Sequence, residues 1–249
     1  MENFKGFFPG VFTMGNMIFG FLSIISSFDG EFINACWLVI LAAFFDALDG
    51  KIARFSKVTS RFGTELDSFA DFVSFGIAPS IILYSLKLAH ISKWEWILGV
   101  VFVVCGAYRL ARFNLHAAKL EEKGSFMGLP IPTAAVTLVG YILFCDYLWG
   151  EVKSPEILIT MIIIFSGLMV SGIEYEGLPE FPLKNKKEKI KLLVILLAMV
   201  AILIKPKLML FPLGLFYILS GVVKEIYIFV YPGKGTKVRI VEEVTGNEK

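Results

Sequence analysis

Charge is scarce in this chain: 18% of its 249 residues are charged, against a hydrophobic share of 56% and a mean hydropathy of +0.73. A water-soluble globule needs more polar surface than that, so the composition excludes one and indicates an integral membrane protein. Net charge is small as well. A balance of +2 is too little to attract a nucleic acid or to mark a polybasic surface, and no nucleic-acid partner is expected. Cysteine is limited to Cys36, Cys105 and Cys145, each in an apolar segment, at spacings that fit neither a disulfide framework nor a zinc site. The two histidines, His90 and His116, fall in loops on opposite sides of the membrane by the topology below, and neither is expected to be catalytic. The opening MENFKGFFPGVF lacks a small-residue cleavage site after its first apolar run, so a removable signal peptide is not expected. Phe4, Phe7 and Phe8 beside Lys5 suit an interfacial segment instead. Internal repeats, low-complexity tracts and a soluble domain are also lacking.

Long apolar runs, by contrast, are abundant. A hydrocarbon core of about 30 Å needs about 20 apolar residues in a helix. Windows of that kind fall near 9–27, 33–50, 67–88, 94–113, 129–148, 156–172, 188–205 and 208–230. They predict an all-α membrane protein of about eight transmembrane helices, with one transmembrane domain over 1–230 and a polar tail over 231–249. An even number of spans puts both termini on one side. Nineteen of the 24 Lys and Arg then fall on that side, and only Lys87, Lys93, Lys153, Lys205 and Lys207 lie opposite. By the positive-inside tendency the termini are cytoplasmic. The opposite loops, such as DGE at 29–31 and KPK at 205–207, are too short for a sizeable site. The expected arrangement is a multi-pass protein of the cell membrane with its active site on the cytoplasmic side.

The stretch FFDALDGKIARFSKVTSRFGTELDSFADF, residues 44–72, sets four acids at the edge of segments greasy enough for lipid. Successive helical residues turn by about 100°, so positions three, four and seven apart share a face. Asp46, Asp49, Gly50 and Ala53 obey this at the end of the second span; Gly63, Asp67, Ala70, Asp71 and Ser74 obey it at the start of the third. A short connection lets the two faces meet and brings four carboxylates into one pocket. Unpaired, each acid would cost about 2.5–3.5 kcal/mol on membrane insertion scales, so positive charge has to sit between them. Hard oxygen ligands with no His or Cys nearby favour Mg²⁺ or Mn²⁺, and a pair of such ions suits phosphoryl transfer. The small residues leave room for a ligand to approach the backbone. The plainer alternative is a solvated acidic helix end neutralised by Lys51, Arg54, Lys57 and Arg61; four acids interleaved with small residues at these spacings favour the ion site.

As a pattern these residues read Asp46-x2-Asp49-Gly50-x2-Ala53-Arg54-x8-Gly63-x3-Asp67-x3-Asp71, which resembles the complete signature of the CDP-alcohol phosphotransferase family. The resemblance implies a helical membrane enzyme that moves a phosphatidyl or phosphoalcohol group from a CDP-activated donor to an alcohol, releasing CMP. It also implies that Asp46, Asp49 and Asp67 are metal ligands, and that Asp71 is both a metal ligand and the base for the acceptor hydroxyl. Gly50, Ala53, Arg54 and Gly63 would lie around the nucleotide. A homodimer is implied as well. DFVSFGIAPS at 71–80, YRLARFN at 108–114, FMGLPIPTAA at 126–135 and LMVSGIEY at 168–175 resemble the phosphatidylserine synthase branch over roughly the first 175 residues. Gly10 in FPG and the stretch SGIEYEGLPEFPLK at 171–184 depart from that branch. The implied substrates are L-serine and CDP-diacylglycerol or a CDP-archaeol-type ether lipid, both met at the membrane lipid surface.

Serine carries a carboxylate, so its pocket needs a deep cation. Arg109 and Arg112, three residues apart at the depth of the aspartates, are candidates to clamp it, although both could instead reach phosphates or the surplus acids. Thr13 and Asn16 are polar residues one turn apart in the apolar first span. The family often turns such residues toward the nucleotide, and hydrogen bonding between helices is the alternative. No Ser or His stands out as a nucleophile. Two other readings stand beside this one: phosphatidylglycerophosphate synthesis with a different acceptor, and cation transport, which would need acids nearer mid-bilayer.

Overall fold

The computed structural model describes residues 7–56, 61–86, 95–118, 126–152, 155–175 and 186–231, without most of the side chains at the ends of these segments. The chain forms α1 (Phe7–Phe28), α2 (Phe32–Ser56), α3 (Arg61–Asp71), a π-helical segment (Phe72–Ile77), α4 (Ala78–Ser85), α5 (Glu95–Ala118), β1 (Phe126–Met127), α6 (Ile131–Trp149), α7 (Pro155–Val170), β2 (Glu174–Tyr175), α8 (Lys186–Ile204) and α9 (Pro206–Val230). The strands are two residues each and pair antiparallel, Phe126 with Tyr175 and Met127 with Glu174.

Local chemistry sets several of the boundaries. Gly30 takes φ 80° at the turn from α1 to α2, and Gly150 takes φ 72° where α6 stops, both in the left-handed region that favours glycine. α6 starts after extended Pro130 and carries Pro132 in its first turn, where a missing N–H costs nothing. In lipid every backbone polar group has to be satisfied within the protein, and these apolar runs do so as helices.

Among the described residues, six segments are long and apolar enough to cross a bilayer: Gly10–Phe28, Phe32–Ile52, Phe62–Ser85, Trp96–Leu115, Ile131–Trp149 and Pro206–Val230. Glu156–Val170 and Leu192–Ile204 are shorter apolar helices that occupy the sixth and seventh expected spans. Phe28, Leu203 and Phe229 are 68%, 77% and 86% exposed, the outer face of a multi-pass membrane protein.

α6 is the most enclosed helix and touches α2, α7, α9 and the π segment, while α1 and α2 run alongside each other and α5 packs on α7. Apolar burial does not drive helices together in lipid; close approach and hydrogen bonds do. Gly20 of α1 lies so near Ser74 that a Cβ there would sit 2.7 Å from the Ser74 Cα. Gly140 of α6 similarly admits the backbone of Phe211 on α9. Ser23 donates to the Ala35 carbonyl at 2.9 Å, joining α1 to α2, and Ser80 donates across to the Gly99 carbonyl at 3.2 Å, joining α4 to α5.

The third expected span is interrupted where regular periodicity predicted none. It begins at Arg61, so Gly63, Asp67 and Asp71 share one helix, and the chain then widens into i→i+5 bonding from Phe72 to Ile77. Such π segments occur often at functional sites. Here it starts directly after Asp71, and Ser74 within it donates to the Asn16 carbonyl at 2.9 Å.

Candidate active site

Asp46 and Asp49 stand one turn apart near the end of α2, and Asp67 and Asp71 one turn apart on α3. One carboxylate oxygen from each of Asp46, Asp67 and Asp71 lies within 4.8 Å of the other two. Asp71 is buried and the other two are half-buried. Asp49 stands beside this triplet, buried, within electrostatic reach of Asp46 and Asp67. Its Oδ2 accepts a hydrogen bond from the Thr13 hydroxyl, and its Oδ1 is buried with no partner among the described residues.

α1 braces both acidic helices. Thr13 reaches Asp49 of α2, and the Asn16 amide donates to Asp71 Oδ1 of α3 at 3.0 Å. Thr13 and Asn16 thus make the interhelical hydrogen bonds foreseen as one of their two readings, and both are buried. The Asn16 carbonyl oxygen Oδ1 is buried and unpartnered among the described residues. Gly50 is exposed just after Asp49, and Gly63 is half-buried one turn before Asp67. The side chains of Ala53 and Arg54, and all of His90 and the tail beyond Tyr231, lie outside the described residues.

The two arginines of YRLARFN have different surroundings. Arg109 is buried on α5, within electrostatic reach of Asp71 and Asp46, and its Nε has no partner among the described residues. Arg112, one turn on, is turned toward the end of α7. Its guanidinium donates to the carbonyls of Met127 at 2.8 Å, Val170 at 3.1 Å, Met169 at 3.3 Å and Ser171 at 3.0 Å. The last carbonyls of a helix lack intrahelical donors, and a cation there satisfies them and opposes the helix dipole. Gly128, at φ 83°, lets β1 come close enough for the Met127 contact, since a Cβ would stand 2.6 Å from Arg112 Nη2. Replacing Arg112 with Lys keeps the charge and loses the planar fork. The expected result is a lower thermal transition in detergent with the serine KM unchanged; a raised KM with an unchanged transition would make Arg112 a serine ligand instead.

Two contacts had no counterpart in the sequence reading. Asn114 donates its amide to Ser68 Oγ at 2.9 Å, joining α5 to α3 beside Asp67; the YRLARFN motif contained this residue without giving it a role. Tyr175 is buried against α9, with its ring 5.8 Å from that of Tyr217. Nothing about a single tyrosine in a loop segment signals that.

Between α1 and the acidic helices runs an apolar groove of about 640 Å³, lined by Val11, Met14, Ile18, Phe45, Phe62 and Leu66 among others. Phe45 and Leu66 are the chain neighbours of Asp46 and Asp67, so hydrocarbon-lined and carboxylate-lined space adjoin.

Whether the cluster suits a metal can be judged from its donors. They are all carboxylate oxygens, no His or Cys joins them among the described residues, and Asp49 adds an orphaned buried oxygen. Such a set matches a hard divalent cation.

Comparison with known proteins agrees with this geometry. The family model described as CDP-alcohol phosphatidyltransferase matches residues 7–171. The chain is 34% identical over 225 residues to a CDP-diacylglycerol--serine O-phosphatidyltransferase of Helicobacter pylori, covering 90% of this chain and 92% of that one. It is 40% identical over 172 residues to an archaetidylserine synthase of Methanothermobacter thermautotrophicus, covering 67% and 68% of the two chains. A third relative, the Bacillus subtilis CDP-diacylglycerol--serine O-phosphatidyltransferase, is 35% identical over 179 residues, which is 72% of this chain and 95% of that protein. With the match spanning α1 to α7 and three of the four signature aspartates converging beside the fourth, the chain belongs to the CDP-alcohol phosphatidyltransferase family.

Proposed function

We propose that this protein transfers the phosphatidyl group of CDP-diacylglycerol, or of its ether-lipid equivalent, to the hydroxyl of L-serine, with release of CMP. The observation that carries the transfer chemistry is the convergence of Asp46, Asp67 and Asp71 from two successive helices. The serine acceptor is supported by relatives named for it over most of their lengths, and the ether-lipid option by a relative named archaetidylserine synthase.

The family is divalent-metal dependent, and the aspartate cluster could hold such an ion. Asp46, Asp49, Asp67 and Asp71 are the residues we assign to it, with Mg²⁺ or Mn²⁺ as the ion and two ions as the stoichiometry. When bound, it would supply charge neutralisation for the diphosphate and for the departing CMP. The chain's own residues do the rest. Gly50, Ala53, Arg54 and Gly63 border the nucleotide, with Thr13 and Asn16 bracing the floor beneath it. The groove beside Phe45 and Leu66 receives a lipid tail. Asp71, held at Oδ1 by Asn16, takes the serine hydroxyl proton as that oxygen attacks the phosphorus bearing the lipid. The new P–O bond joins serine to the phosphatidyl group, the bond to the CMP oxygen breaks, and the proton passes from Asp71 to water. Arg109 faces the serine carboxylate.

The distribution of Lys and Arg supports a site on the cytoplasmic face. Labelling of single cysteines from either side of sealed membranes tests that orientation, and crosslinking in the same membranes tests the homodimer implied by the family. The acceptor is tested by offering serine, glycerol 3-phosphate, inositol phosphate and choline separately with the CDP-lipid. CMP release should require serine. Release with glycerol 3-phosphate and not with serine would transfer the protein to the phosphatidylglycerophosphate synthase reading.

A further inference from the structure

Polar atoms buried without partners are few in native proteins, and each calls for an explanation. Apart from the oxygens of Asn16 and Asp49, the described residues hold three: Arg109 Nε, Ser166 Oγ and Tyr175 OH. Residues 109, 166 and 175 are 7%, 2% and 3% exposed. They also share a neighbourhood. α5 packs on α7, with Arg112 at the carbonyls of 169–171; Arg109 lies one turn before Arg112 on α5, and Ser166 one turn before Val170 on α7. Tyr175 follows α7 directly and packs its ring on Tyr217 of α9, and Tyr217 is within electrostatic reach of Arg109. Gly221, one turn beyond Tyr217, leaves space for the Tyr175 ring, since a Cβ there would lie 2.7 Å from its Cδ1. Arg109 in turn reaches Asp71 and Asp46. A buried cation nitrogen within electrostatic reach of the acids, and two buried hydroxyls on the neighbouring α7 and β2, are therefore left without partners among the described residues.

From this we infer that Tyr175, with Ser166 and the supporting ring of Tyr217, completes a subsite headed by Arg109 that binds the carboxylate of an α-amino-acid acceptor. The inference rests on the serine reading above and deepens it. Part of the selectivity then comes from α9, which lies beyond the residues matched by the family model. Burial first, and the neighbouring Tyr217 second, push the Tyr175 phenol up to about 12, so it stays protonated at neutral pH and donates. A neutral donor beside a guanidinium matches a carboxylate, which only accepts.

Tyr175→Phe deletes the hydroxyl and keeps the ring on Tyr217. It should raise the serine KM about tenfold or more, as loss of one hydrogen bond to a charged group does. The KM for CDP-diacylglycerol should stay unchanged, which also reports an intact fold. Activity with ethanolamine, which is serine without the carboxylate, should be unchanged by the substitution, so the preference for serine over ethanolamine narrows by the same factor. A Tyr175→Phe protein whose serine KM and preference match wild type, or whose two acceptors slow equally, overturns the subsite. A wild-type protein that releases CMP without needing serine instead overturns the function proposed above, so the two failures are told apart.

Discussion

Asp71→Asn lowers turnover by about 10²–10⁴-fold, the usual contribution of a positioned general base, while the protein still inserts and needs more Mg²⁺ for its thermal stabilisation by CDP. The substitution preserves shape: an asparagine at 71 can still accept from the Asn16 amide, so the brace from α1 survives. What disappears is the negative charge and the ability to take a proton from the acceptor. Asp71 is the most enclosed member of the converging triplet, held from α1 and followed at once by the π segment. Near-normal turnover by this variant would remove Asp71 from the chemistry. Steady-state CMP release with serine and CDP-lipid both saturating is the measurement.

Chelation is the second large effect. EDTA should abolish activity, and Mg²⁺ or Mn²⁺ should restore it, because three carboxylates within 4.8 Å of one another otherwise repel in a poorly solvated site. Asp67→Asn should raise the metal concentration needed for half-maximal activity. Loss of an outer partner of a metal ligand already costs about 10–100-fold in affinity or activity, so loss of a ligand itself should cost at least that. The same shift should appear in the metal-dependent thermal stabilisation by CDP, a readout independent of turnover. Activity that persists in EDTA, with an unshifted metal response in Asp67→Asn, would separate the aspartate cluster from ion binding.

The sequence reading and the structure part company at identifiable residues. Asp46, Asp49, Asp67 and Asp71 were legible because helical periodicity is local: a spacing of three or four residues puts side chains on one face whatever surrounds the helix. Arg109 and Arg112 obey the same spacing, so periodicity treats them alike. The end of α7 and β1 distinguish them by engaging Arg112 through four carbonyls. The π segment was illegible for a related reason, since nothing in the run FVSFGI distinguishes the two backbone patterns and the segment is packed among helices distant in sequence. Tyr175 had no local pattern at all, and its burial depends on α9, some forty residues later.

By itself the amino-acid sequence determined that the chain lives in a membrane as helices, and that two of those helices carry acids on matched faces, because apolar length and side-chain spacing are properties of consecutive residues. Only the tertiary structure decided which acids converge, which arginine stays beside them and which polar atoms are left facing the site. Those outcomes depend on partners far apart in the chain, and a polar group in a poorly solvated interior is defined by the partner it finds or lacks.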